Sequence, residues 1–468
     1  MNYRPSGKPA RTCSWKSDQI DSAQRPAAAR ELPRRGARAG DAAIRATLHK
    51  ALSGIAGRHW IVALAMAKSA AGGMLMVGLP VKLDRLSWSD WSLGLYTAVT
   101  SATYMAVCMG YSLLLHRMPL RRMLAFSAGL AAAMAAGLWA FTFGPLLFLF
   151  GAGFSLAAAL YWPSLMAWIG ESEETHLVGD MSAFNCAWTI SLTAGAVVGG
   201  LVESLVPGLS LVLVAAVLAA LMLLAPFAHI RGRDAFPATV ASEPVTPVLP
   251  RRFLAAGWLA AMIATLATAV PASIFIKLNS SLGYTARDFG AFLGLQGAVQ
   301  AFVFLALGVL QGWRYRRWPL VAPLGLVVAG SVLLATPTGG GTFGWYVLAL
   351  GFALLGAGMG LGYGTGFYYT VRGSRRRKRN VGLFEAAVSL QHVLGGAAGG
   401  LIATLLWRRA PYLAVAGLAV LGILAQGSLL RGLDPPAARG PGEGAFDTPR
   451  GAPYNSGPEG GPDARAGH

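Results

Sequence analysis

Twelve apolar stretches, most of them 20 residues or more, divide this 468-residue chain. They fall at 60–80, 93–115, 121–142, 145–169, 181–202, 209–230, 255–277, 288–312, 318–337, 343–371, 381–407 and 411–431. About 20 helical residues rising ~1.5 Å each cross a hydrocarbon core of ~30 Å. In lipid only helices and closed barrels satisfy their backbone polar groups, and these runs are far too long for barrel strands. The sequence therefore predicts an all-α polytopic membrane protein. Composition agrees, with 54% hydrophobic and 13% charged residues and a mean hydropathy of +0.52, where soluble domains carry about 25% charge.

The chain also repeats itself at an offset of 200 residues. Phe184, Ala187, Gly195, Gly199, Gly200 and Leu201 recur as Phe384, Ala387, Gly395, Gly399, Gly400 and Leu401. Gly151-Ala152-Gly153 with Leu156 recurs at an offset of 205 as Gly356-Ala357-Gly358 with Leu361, and Arg117, Pro119 and Leu120 recur at 200 as Arg317, Pro319 and Leu320. Two homologous halves in an apolar chain predict two pseudo-symmetric six-helix bundles with a solute site between them, near the bilayer midplane.

A net charge of +19 raises nucleic acid as a partner, and its distribution excludes that. With both termini inside, 32 of the 39 Lys and Arg fall on the cytoplasmic side, six fall outside (Lys82, Arg85, Lys277, Arg287, Arg408, Arg409), and Lys68 alone lies within a span. That bias predicts cytoplasmic termini in an inner (plasma) membrane. The run 372–379 carries six positive charges and suits topology and anionic lipid head groups; the aromatic platforms of nucleic-acid modules are missing there. Cys13, Cys108 and Cys186 have neither disulfide-framework nor metal spacing. The first 40 residues are polar, unlike a cleavable signal peptide.

Residues 1–55 read as a disordered basic tail with a short amphipathic helix over 42–57, where Ile44, Leu48, Leu52 and Ile55 share a stripe. An Arg-rich, acid-poor leader is also compatible with an organellar targeting segment. Residues 56–230 form the first bundle, 231–254 a Pro-rich cytoplasmic linker, 255–431 the second bundle and 432–468 a disordered tail.

Over residues 56–431 the chain resembles the major facilitator superfamily. Gly195-Ala196-Val197-Val198-Gly199-Gly200 is similar to that family's fifth-span Gly-Pro-x-x-Gly-Gly motif, with Ala196 at the proline position. The resemblance implies an exporter. The stretch from Ser112 to Arg121 aligns with the family's loop motif between spans 2 and 3. Arg117 and Arg121 match it, while Ser112, His116 and Pro119 stand where the family has Gly, Asp and Gly. The resemblance implies a cytoplasmic gate at Arg117 and Arg121.

Within the spans a few residues stand out. Gly195/Gly199 and Gly395/Gly399 are four apart, so each pair lies on one helix face that admits a neighbouring backbone; with Gly200 and Gly400 they serve plain packing or a sliding surface between bundles. Lys68 must face a cavity or a partner, because a bare charge at that depth costs at least ~2.5 kcal/mol. It anchors an anionic or polar solute, pairs with an acid, or snorkels toward the surface. Glu385 is the only acid clearly within a span, and His392 lies two turns on along the same face. Both suit proton exchange; the other readings are a gate-side ion pair of Glu385 with Arg117, Arg121 or the 372–379 run, and a packing role for His392. Gln296 and Gln300 share a face, for solute or for interhelical hydrogen bonds. Asn185, Tyr161, Trp162, Tyr368 and Tyr369 are further cavity candidates.

No P-loop, dinucleotide fingerprint or His-Glu-x-x-His occurs. The expectation is a monomeric secondary transporter without cofactor or metal, moving a small organic solute by alternating access and exporting it against protons. The alternatives are a transporter-like sensor or scaffold without flux, and a membrane-embedded enzyme acting on lipid-linked substrates.

Overall fold

The computed structural model describes residues 36–114, 119–169, 177–227, 251–372 and 377–431. The expected tails and linker lie largely outside them. The described residues hold twelve α-helices and no strand: α1 (Gly36–Arg85), α2 (Asp90–Leu114), α3 (Leu120–Ala140), α4 (Gly144–Ile169), α5 (Leu177–Leu205), α6 (Leu209–Leu224), α7 (Arg251–Ser281), α8 (Ala286–Val309), α9 (Trp318–Ala335), α10 (Thr342–Arg372), α11 (Arg377–Leu405) and α12 (Ala410–Leu429). Helix over the 42–57 region begins earlier than the sequence suggested, at Gly36, and runs on into the first span.

Eleven of these helices are long and apolar enough to cross a membrane; α2 is the exception. Twelve such spans were expected, and the difference lies in the hydroxyls of α2, among them Thr97, Thr100, Ser101, Thr103 and Tyr104. Helix α2 packs between α4 and α11. A helix walled by protein on two sides need not be apolar all round, and Thr97, Thr100 and Thr103 return their hydroxyls to carbonyls of their own helix.

Among the first six helices, α3 packs on α4 and α6, and α4 on α2; among the second six, α10 packs on α7, α8 and α9, and α12 on α9 and α7. Two long seams join the sets, α5 with α8 and α2 with α11. Glycine makes both seams close. A Cβ on Gly200 would come within 2.9 Å of the Gly290 Cα, and one on Gly400 within 3.0 Å of the Gly94 Cα. The two crossings are counterparts under the 200-residue repeat and lie at the same end of the molecule, where α1 turns into α2 at Asp90. The opposite end, where α6 leaves and α7 enters, is the linker end.

Helix ends at the Asp90 end are tied by side chains. Three terminal carbonyls of α3, from Leu138, Trp139 and Phe141, accept from Lys82 Nζ at 2.6, 2.8 and 2.7 Å, which satisfies groups that a helix leaves open at its C-terminus. At the start of α8, Thr285 and Asp288 form a reciprocal capping box.

Candidate functional site

Helix α1 fixes the depth of Lys68. A Cβ on Gly195 would fall on the Ala70 carbonyl, and one on Gly199 would lie 2.8 Å from the Met74 Cα. The parallel helices α1 and α5 thus touch backbone to backbone, with Lys68 level with Thr193. Its side chain is buried, at 3% exposure. Nζ has no hydrogen-bond partner and sits 4.3 Å from the centroid of the Phe154 ring on α4. No acid pairs with it among the described residues, so the structural-pair alternative for Lys68 finds no support. Gln296 and Gln300 on α8 are half-buried and buried respectively, and Gln296 Oε1 also lacks a partner.

Glu385 lies nearer the linker end. It is buried at 7% exposure and accepts a 2.8 Å hydrogen bond from the Tyr363 hydroxyl of α10. The ion pair with arginine considered from sequence falls mainly outside the described residues: Arg117 is not among them, Arg121 occupies the first turn of α3, and the side chains of the 372–379 run are not described. Tyr104 and Cys108 on α2 face Glu385 across the α2–α11 seam, close enough to interact with it electrostatically. His392, half-buried on α11, places Nδ1 3.2 Å from the Val388 carbonyl.

Asn185 is the counterpart of Glu385 under the repeat. It is buried, and its Oδ1 accepts from the Trp188 indole at 3.1 Å. It borders a small cavity of about 30 Å³, room for a water, with Ser182, Phe304 and Tyr368. Two other tyrosines named from sequence are occupied by the scaffold. The Tyr161 hydroxyl donates to the Leu64 carbonyl at 3.0 Å, and the Tyr369 hydroxyl accepts from the Tyr315 amide at 3.1 Å. Aromatic rings connect these regions from α4 through α5 and α8 to α10: Trp162 meets Trp188 at 6.5 Å, Trp188 meets Phe304 at 6.3 Å, and Phe304 meets Tyr363 at 6.2 Å between centroids.

The glycines divide into two kinds. Gly195, Gly199, Gly200 and Gly400 oppose backbone, and so does Gly396, which the repeat did not single out. Gly395 meets the Ala269 methyl at 2.9 Å, whereas Gly399 faces only the Val270 and Ile274 side chains at 3.5 Å or more. The close approach inferred for the Gly395/Gly399 pair is therefore weaker than that of Gly195/Gly199.

A charged cluster at the Asp90 end was not foreseen. Asp84 of α1 pairs with Lys277 of α7 at 2.7 Å and accepts from Ser280 at 2.7 Å. Asp90 of α2 pairs with Arg408 beyond α11 at 3.2 Å. Both pairs join the first helix set to the second. Glu203 ties α5 to α1 and α6: it pairs with Arg85 at 2.5 Å and accepts from Ser210 and the Gly208 amide. It is fully buried within the Ser182–Leu205 span, so Glu385 is not the only acid inside a span. The signal was present in the sequence as scarce acids in short turns, each facing one of the few cations expected on that side.

The two interset pairs should hold this end shut. Ion pairs of this partial exposure are worth roughly 0.2–1 kcal/mol each, so removing both shifts the closed–open balance by about thirtyfold at most. We predict that Asp84→Asn with Asp90→Asn raises the labelling rate of a Thr97→Cys probe, added from the Asp90 side, by several-fold up to that limit. An unchanged rate would show that the glycine seams alone close this end.

Two six-helix sets joined along paired seams, with ionisable groups buried inside the spans, define a helical membrane transporter. A family model described as Major Facilitator Superfamily matches residues 61–380 and 257–453, and the chain belongs to that superfamily. It is thus a secondary transporter and an integral multi-pass membrane protein, not an enzyme. Similar solved structures include the nucleoside transporter NupG, with TM-score 0.61 and 14% identity over 80% of this chain and 99% of that one. A single-site mutant of NupG gives TM-score 0.63 and 13% identity over 80% of this chain and 100% of that one. At such identities the likeness shows the fold alone. No curated protein sequence matches the chain significantly.

Proposed function

We propose that the protein exports a small polar organic solute across the inner (plasma) membrane in exchange for protons, with Glu385 as the exchange site. The observation that carries this reading is the setting of Glu385: buried, on the seam between the two helix sets, and hydrogen-bonded by a neutral phenol, with no ion pair to a cation among the described residues. A carboxyl without a fixed counter-charge can gain or lose a proton when water reaches it. The α2–α11 seam that contains Glu385 must slide as the molecule alternates, so its access to water changes with conformation. Antiport fits the fifth-span glycines of the exporter-like motif. NupG is a nucleoside transporter, which makes an uncharged nucleoside a second reading for the cargo. The buried cation of Lys68 favours an anionic one.

The reading is tested by flux of a solute panel in proteoliposomes with and without an imposed pH gradient. Uphill movement of a solute against an inward proton gradient is expected. Equal rates with and without the gradient for every transported solute would contradict antiport.

The charge distribution supports cytoplasmic termini, and with them a cytoplasmic linker end and an external Asp90 end. Reporter fusions at both ends of the chain should read out inside; an external signal from either would reverse the orientation. Anionic lipid head groups are proposed partners of the 372–379 run, and the protein is proposed to act as a monomer.

A further inference from the structure

Lys68 does not stand alone at its depth. Three more polar atoms without any partner lie at the same level: the hydroxyls of Ser69 and Thr193, and Gln296 Oε1. The seams fix this. Lys68 and Ser69 precede Ala70, which meets Gly195, and Thr193 precedes Gly195 by two residues. A Cβ on Gly297 would fall on the Thr193 hydroxyl, which places Gln296 of the antiparallel α8 alongside. Under the repeat this level corresponds to residue 393 of α11, eight residues beyond Glu385, or about 12 Å farther from the linker end.

Unpaired buried polar atoms are rare, because each carries a desolvation penalty. Four at one level, drawn from both helix sets, mark a place that something polar fills. Their chemistry is specific. One ammonium requires one negative charge, and among the described residues this level has neither a second Lys or Arg nor any acid; its other ionisable side chain is His392, whose Nδ1 lies against the Val388 carbonyl of its own helix. The Gln296 oxygen requires a donor; the two hydroxyls take donors or acceptors. A carboxylate alone would leave Gln296 unsatisfied, and a polyol alone would leave Lys68 unsatisfied. A dianionic phosphate would exceed the single cation.

We propose that the Lys68–Thr193–Gln296 level binds a monoanionic, hydroxylated organic solute, a carboxylate bearing several hydroxyls. Lys68 takes the carboxylate and Gln296 accepts from a hydroxyl. This rests on the transporter reading above but not on proton exchange at Glu385, which lies at a different level.

Calorimetric titration of the purified full-length protein tests it, with D-gluconate, D-glucitol, propionate and D-glucose 6-phosphate as probes. Gluconate should bind at least about tenfold more tightly than glucitol or propionate, the worth of one charge-assisted hydrogen bond. Lys68→Met should reduce gluconate to the affinity of glucitol, and Lys68→Arg should restore part of the difference. Gln296→Leu should reduce gluconate toward propionate. Undetectable gluconate binding, glucitol binding as tightly as gluconate, glucose 6-phosphate binding more tightly than gluconate, or a charge preference that survives Lys68→Met would each overturn the assignment. Binding at equilibrium needs no coupling, so a failure of proton exchange leaves this result standing, and the reverse also holds.

Discussion

Gly195→Leu is expected to abolish solute flux and to lower the melting temperature of the purified protein, while Gly399→Leu leaves both near wild type. A side chain at Gly195 must occupy the position of the Ala70 carbonyl, and a backbone carbonyl cannot rotate away as a side chain can. The α1–α5 contact would have to open, spreading the helices that set the depth of Lys68. Overpacking of this kind costs typically ~1–3 kcal/mol in cores and more where backbone must move. The gain in helix propensity on replacing Gly with Leu, below about 1 kcal/mol, does not offset it. At Gly399 the nearest atoms are the ends of Val270 and Ile274, at ordinary van der Waals distances, and these side chains can repack. Melting curves and proteoliposome flux of the two variants, side by side, check the contrast. Equal behaviour would mean that the repeat-related glycines serve the same generic purpose.

The fold was legible because lipid leaves a chain few choices. Run length gave the helices, and the 200-residue repeat gave the two sets. The depth and burial of Lys68 and Glu385 were legible for the same reason, since a charge amid an apolar run must turn inward. What covers each charge was not legible. The partner of Glu385 is Tyr363, 22 residues away on another helix, and Lys68 rests on Phe154 of α4; sequence spacing contains no record of either contact. The aromatic candidates were the hardest to sort. Tyr161 and Tyr369 look the same in sequence as Tyr363, yet the first two hydrogen-bond backbone groups while the third holds a carboxylate. The unpartnered hydroxyls of Thr189 and Thr193 were missed because a threonine in a span usually bonds its own helix, as Thr97 does. Only the packing shows which hydroxyls are left without a partner.

The proposed antiport at Glu385 also accounts for a carboxyl whose partner among the described residues is a phenol. A fixed guanidinium would hold the charged form in every conformation and remove the exchange. Glu385→Gln keeps the shape and can still accept from Tyr363 through its amide oxygen, so the α10–α11 contact survives and the protein should insert and fold as the wild type does. The most direct measurement is solute-driven proton flux in proteoliposomes, wild type against Glu385→Gln, at several pH values. The account predicts proton movement with solute in the wild type, and in the variant solute exchange that persists without proton movement and without pH dependence. An unaltered ratio of protons to solute in Glu385→Gln would contradict it and remove Glu385 from the coupling mechanism.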